Sequence, residues 1–212
     1  MAYDLDEQEK LDALKAWWAR YGMLTIIVIT IVALAAAGWS GWRAYQNYQA
    51  NQAMGYYEAL EDAARLGGPD STARIKAAAQ TLRDDYGSTG YAARGVLIAA
   101  QALADQKDVD GARQQLEWLA GQADQKALQP VARLRLAGLL LDQKQYDQAL
   151  KQLENPPAPF AALYADRRGD VLAAQGKRDE ARAAWKSALD GLGAAHPLTQ
   201  IVQLKLDALS GA

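Results

Sequence analysis

From residue 22 to residue 42 the chain reads GMLTIIVITIVALAAAGWSGW, with no charged side chain between Arg20 and Arg43. On either side of this run, apolar residues are interleaved with charges and amides. Interleaving of that kind marks helices that bury one face, whereas an unbroken apolar run marks a segment whose whole surface avoids water. At about 1.5 Å of rise per residue the run covers about 31 Å as a helix, close to the hydrocarbon thickness of a bilayer. Its polar interruptions, Thr25, Thr30 and Ser40, can bond back to carbonyls one turn earlier. The pattern predicts a transmembrane helix over 22–42, the helix being the form in which a lone segment satisfies its own backbone in lipid.

The flanks support a span and orient it. Trp17, Trp18 and Tyr21 stand at one boundary and Trp39, Trp42, Tyr45 and Tyr48 at the other, where amphipathic rings prefer the headgroup layer. Lys10, Lys15 and Arg20 precede the run, against Arg43 alone in the equivalent window after it. Lys and Arg, not net charge, set orientation, so the acids Asp4, Asp6, Glu7, Glu9 and Asp12 do not reverse the bias. The expected arrangement is a cytoplasmic segment 1–21, a transmembrane helix 22–42 and a translocated domain 43–212. A cleaved signal peptide, with Ala35, Ala36 and Ala37 as the cleavage site, is the rival reading. The long acid-rich flank and an apolar run beyond the usual 7–15 residues argue against it. Within 1–21, Leu5, Leu11, Leu14 and Trp18 line one face of a helix beginning near Asp6, read as a lead-in to the membrane rather than a docking motif.

Between Arg43 and Leu66 there is neither Pro nor a Gly pair, so a stalk helix is expected to continue out of the span. The Gly-Gly-Pro at 67–69 ends it. Ser71 is the expected N-cap of a helix through Tyr86, and Gly87 and Gly90 bracket the next turn. The chain then repeats itself. LADQKDVDGARQQL at 103–116, LLDQKQYDQALKQL at 140–153 and LAAQGKRDEARAAW at 172–185 align without gaps. Their starts are spaced by roughly 32–37 residues, within the range of helical solenoid repeats. Each window has an apolar residue first, Gln fourth, Ala tenth, and Leu or Trp fourteenth. Apolar helices lie upstream of each, at about 91–104, 127–142 and 160–174, so the unit is helix, tight turn, helix.

A small residue at Ala112, Ala149 and Ala181 lets the paired helices approach, and Leu116, Leu153 or Trp185 four residues later packs under the next pair. In the last copy, Gly169, Ala181, Trp185 and Ala188 have the spacing of small and aromatic positions that resembles a tetratricopeptide repeat. Ala100 and Ala137 hold the Gly169 position in the earlier copies. Pro156, Pro157 and Pro159 separate the second copy from the third, a closing helix over about 198–209 caps the array, and 43–86 is a degenerate first pair with Ala78 and Leu82 at the matched positions. The predicted fold is all-α: an N-terminal transmembrane helix followed by a tetratricopeptide-like helical-repeat solenoid.

Composition agrees and narrows the function. The protein has 212 residues, one Phe and no Cys, so disulfides and cysteine metal sites are excluded. After Trp42 the acidic and basic residues are equal in number, which gives no electrostatic reason to expect nucleic acid. His196, the one histidine, lies beside Pro197 in a Gly/Ala-rich turn and reads as solvated. Asp84 and Asp85 are adjacent on a helix and do not face each other. Gly67–Gly68 and Gly191–Gly193 lack phosphate-loop spacing, and no Ser has a base to activate it. The chain reads as a non-enzyme without cofactor or metal. Surface remains, and in such solenoids the first helix of each pair lines the binding side. That mapping puts Arg94, Leu97, Gln101, Val131, Leu134, Arg135, Asp142, Asp166, Arg167 and Asp170 along a partner-binding groove, whose mixed charge with Leu and Val suits a protein client. In the membrane helix, Ala33, Ala37 and Gly41 stack small residues on one face, opposite Ile27, Ile31 and Leu34, as a candidate packing surface.

One apolar helix, an acidic N-terminus, GWRAYQ at 41–46 and RRGDVLAAQGKRDEARAAW at 167–185 together resemble the YfgM-type ancillary SecYEG translocon subunits. The resemblance extends over the chain and is loosest around 60–90. It implies a single-pass protein of the bacterial inner membrane, N-terminus cytoplasmic, with a periplasmic repeat domain. It further implies contacts with the SecYEG translocon and with a membrane-anchored periplasmic chaperone of the PpiD type, a chaperone-type role for newly translocated envelope proteins, and no catalytic residues. A generic cell-envelope assembly scaffold, or a stress-signalling adaptor without Sec association, is the alternative.

Overall fold

The protein was analysed as a computed structural model, which describes residues 2–68, 70–193 and 195–210. The described residues form helices joined by turns, without strands. In order they form α1 (Ala2–Leu66), α2 (Ser71–Tyr86), α3 (Gly90–Asp105), α4 (Val109–Ala120), α5 (Gln129–Asp142), α6 (Tyr146–Gln152), a 3-10 turn (Ala158–Phe160), α7 (Ala161–Ala174), α8 (Arg178–Gly191) and α9 (Pro197–Ser210). Two compact units divide between Gln49 and Ala50.

The described residues of the first unit lie within α1. Its stretch 23–42 is exposed but for the half-buried Thr25, and α1 is long and apolar enough to cross a membrane. Thr25 Oγ1 donates to the Tyr21 carbonyl at 3.0 Å and Thr30 Oγ1 to that of Ile26 at 2.8 Å, so these hydroxyls satisfy themselves against their own helix. The rings at either end touch one another: Trp17 and Tyr21 have centroids 5.9 Å apart, and Trp42 and Tyr45 6.2 Å. Leu11, Leu14 and Trp18 are exposed; the Leu5 side chain lies outside the described residues.

The second unit is a stack of helix pairs. From α2 onward consecutive helices pack on one another, and α5 also touches α7, first helix against first helix. Three clusters run along the stack. Ala53, Leu60 and Ala63 of α1 join Ile75, Ala79 and Leu82 of α2 and one face of α3. The other face of α3 meets α4, α5, Ala149 and Tyr164. Leu172, Trp185 and Ala188 then meet Val202 and Leu206 of α9. Helices α3 and α7 each serve two clusters, which is how a solenoid propagates one core.

The matched positions explain themselves in this packing. Ala112, Ala149 and Ala181 are fully buried, with Leu116, Leu153 and Trp185 nearly so. A Cβ on Gly169 would lie 2.4 Å from the Trp185 ring, so that indole fits only over a glycine. The turn has a backbone reason as well. Leu103, Leu140 and Leu172 accept from the amides of Asp108, Gln145 and Lys177 at 2.8, 2.8 and 2.9 Å, closing the same helix-ending motif three times. That motif needs a left-handed residue, and Lys107, Lys144 and Gly176 fill the place with φ of 63°, 59° and 80°. Only the third copy has the residue that adopts it without steric cost.

Some details differ from the sequence reading. Ser71 is not the N-cap: α2 begins on it, Asp70 precedes it without a side-chain capping bond, and Ser71 is buried, its Oγ accepting from Gln106 Nε2 at 3.2 Å. Ala79, not Ala78, is the fully buried alanine beside Leu82, because Ile75 and Leu82 set the inward stripe of α2. Gly67 and Gly68 end α1 with φ of 63° and 104°; Pro69 lies outside the described residues. His196 is exposed, its Nδ1 accepting from the Leu198 amide at 3.2 Å at the start of α9.

Candidate functional site

The first helices α3, α5 and α7 expose a groove of two adjoining cavities. One, about 950 Å³, runs between the end of α1 and α3, with Glu61, Arg65, Leu97, Ile98 and Asp105 in its wall. The other, about 550 Å³, runs between α3 and α7 across α5, with Leu139, Asp142 and Arg167 in its wall. Gln101 and Arg135 line both.

Of the predicted groove residues, the structure brings Leu97, Gln101, Arg135, Asp142 and Arg167 together on these walls. Val131 and Leu134 instead pack against the central apolar cluster. Arg94 is exposed and lies outside both walls. Asp166 and Asp170 are engaged by the closing helix: Lys205 Nζ lies 2.7 Å from a carboxylate oxygen of each, and 5.8 Å above the Trp185 ring. Trp185 Nε1 donates to the Asp166 carbonyl and to Asp170 Oδ1, both at 3.2 Å.

Glu61, Asp62 and Arg65 lie outside the helices that the repeat register assigns to the groove, yet α1 delivers them to it. The signal was present: Ala53, Tyr57, Leu60 and Ala63 recur at helical spacing, which turns Glu61 and Arg65 outward. Tyr57 donates to Glu61 Oε1 at 2.7 Å. That hydrogen bond, helped by partial burial, pushes the phenol pKa above its ordinary value. Arg65 pairs with Asp62 at 2.8 Å, and Gln101 Nε2 donates to Asp105 at 2.9 Å. Arg135 Nη1 donates to the Leu97 carbonyl at 3.3 Å, anchoring α5 on α3. The surface thus combines apolar side chains of α3 and α5 with both signs of charge. Among the described residues no group of three His, Cys, Asp or Glu side chains is arranged to hold a metal ion.

Ala33, Ala37 and Gly41 lie on one face of α1, all exposed, and a Cβ at Gly41 would meet nothing within 4 Å. Ile27, Ile31 and Leu34 are exposed too, at 51, 61 and 68 %.

A stack of helix pairs with a groove along the first helices, preceded by a helix fit to cross a membrane, defines a tetratricopeptide-like repeat protein. Residues 15–211 match the family described as a tetratricopeptide repeat-like domain. The chain is 34% identical over 210 residues to the ancillary SecYEG translocon subunit of Neisseria gonorrhoeae, covering 99% of this chain and 100% of that one. The protein of the same name from Escherichia coli is 29% identical over 97% of both chains, and that of Aggregatibacter actinomycetemcomitans 27% over 99% and 100%. The chain belongs to the family of ancillary SecYEG translocon subunits.

Proposed function

We propose that this protein is a non-enzymatic interaction subunit of the Sec translocon, held in the bacterial inner membrane by α1 with its repeats in the periplasm. The observation that carries this reading is the near end-to-end match to a translocon subunit, which takes in the apolar helix and the repeats alike. The basic residues before the span favour a cytoplasmic N-terminus. In this reading the groove receives newly translocated envelope proteins or a membrane-anchored chaperone of the PpiD type, and the span docks beside the channel through Ala33, Ala37 and Gly41.

Photo-crosslinking residues placed at Ala37 and at Gln101 in native membranes test both halves, with the adducts identified by mass. The span position is expected to capture a SecYEG component, and the groove position a translocated or chaperone protein. Adducts with envelope proteins but none with the channel would replace this reading with that of a general assembly scaffold.

A further inference from the structure

The repeat register sorts the groove into rows. Leu97, Leu134 and Asp166 share one position of the first helices, and Gln101, Gly138 and Asp170 share the position a turn later. Arg135 and Arg167 share a third, and each reaches back to the preceding first helix. Arg135 bonds the Leu97 carbonyl, and the Arg167 guanidinium lies 3.7 Å from where a Gly138 Cβ would stand. Lys205 on α9 makes the next step of the same ladder by reaching back to Asp166 and Asp170.

The steps differ in one respect. At the last, the cation meets two carboxylates on the helix behind it. At the first two, the matching positions are Leu97 and Gln101, then Leu134 and Gly138, none of them charged. Arg135 forms no ion pair among the described residues. Among the described residues the one ion pair of Arg167 is with Asp170 of its own helix at 3.5 Å, a carboxylate already held by Lys205 at 2.7 Å. Of the groove acids, Glu61 accepts from Tyr57, Asp62 pairs with Arg65 and Asp105 accepts from Gln101. Asp142 shares its wall with Arg167 and stands seven residues, about 10 Å of helix, beyond Arg135.

Taking the groove as the partner-binding surface, we propose that its two open steps are completed by the partner's own carboxylates. The occupant is an acidic, apolar polypeptide segment. Its Asp or Glu side chains pair with Arg135 and Arg167, and its apolar side chains lie on Leu97, Ile98 and Leu139. A guanidinium presents a planar fork that a carboxylate fills with two parallel bonds. One bond to a backbone carbonyl leaves most of the Arg135 fork free.

The test uses the full chain in nanodiscs of zwitterionic lipid and two fluorescein-labelled twelve-residue peptides of Leu and Ala, one carrying Glu and its twin carrying Lys. The Glu peptide is expected to bind at least about tenfold tighter, a preference that shrinks as salt rises. Gly138→Asp and Gln101→Asp write the carboxylate of the last step into the two open ones. Each should weaken Glu-peptide binding several-fold while the helical signal stays and the melting temperature is unchanged or raised. Equal binding of both peptides, tighter binding of the Lys twin, or undiminished binding by the two Asp variants would overturn the proposal. Crosslinks from Gln101 in membranes persisting through that failure would leave the groove as the partner surface and remove only its preference for acids.

Discussion

Leu34 and Leu136 are the same side chain in the same secondary structure, 68 and 1 % exposed. Leu34 lies in the 23–42 stretch of α1, where Thr25 and Thr30 bond to their own helix and the described residues leave the large apolar side chains exposed. Leu136 lies in a helix that is helical because neighbours on both sides bury it. The difference is one of solvent. In the proposed function lipid removes the surface of the first stretch from water, whereas the repeats bury one another. Truncating a side chain should therefore cost folding energy in the repeats and almost none in the apolar stretch, where it changes only contacts with the membrane or a partner.

The largest separation is expected between two tryptophans. Trp185→Ala empties a site beside Gly169 and unfastens α8 from α9, at a cost of about 3–5 kcal/mol to the repeat domain. Trp39, 71 % exposed, should give an Ala variant whose repeat domain melts unchanged. Thermal denaturation of the full chain in micelles, followed by circular dichroism, compares the two. Equal losses would mean that the helix and the repeats fold as one body.

Smaller effects distinguish the repeats from one another. Gly176→Lys should destabilise by about 1 kcal/mol and Lys144→Gly should stabilise by about as much, because both act on the same left-handed position. Urea titration reads the signs, and matching signs would disprove the shared turn. The smallest effect concerns Asp108, whose carboxylate lies 2.5 Å from Lys76 and accepts from the Gly111 amide at 3.1 Å. The bond to Lys76 is the main cause holding its pKa below the ordinary value. A carboxyl with a lowered folded pKa stabilises above its unfolded value of about 3.9, and loses that contribution as pH falls through the folded value. Asp108→Asn should flatten this acid limb and leave the remaining pH dependence of melting in place.

Much of this architecture was legible because the repeat imposes the same demand three times. The small residue, the bulky one four later and the turn all show in the alignment of 103–116, 140–153 and 172–185. Non-local competition was not legible. Asp166 and Asp170 have the register of groove residues, yet Lys205, thirty-nine positions beyond Asp166, takes them. Val131 and Leu134 share that register too, and their apolar side chains turn to the core. Ser71 has the chemistry of a cap, but the amide of Gln106 reached it from the next repeat.

Because the chain has no cysteine, single cysteines can report directly which side of the membrane each unit occupies. Glu9→Cys and Ser187→Cys both replace exposed residues. In spheroplasts treated with a membrane-impermeant maleimide, the cysteine at 187 should label at once and the one at 9 only after the inner membrane is opened. Immediate labelling of both, or of the cysteine at 9 alone, would contradict a membrane-crossing α1 with the repeats outside.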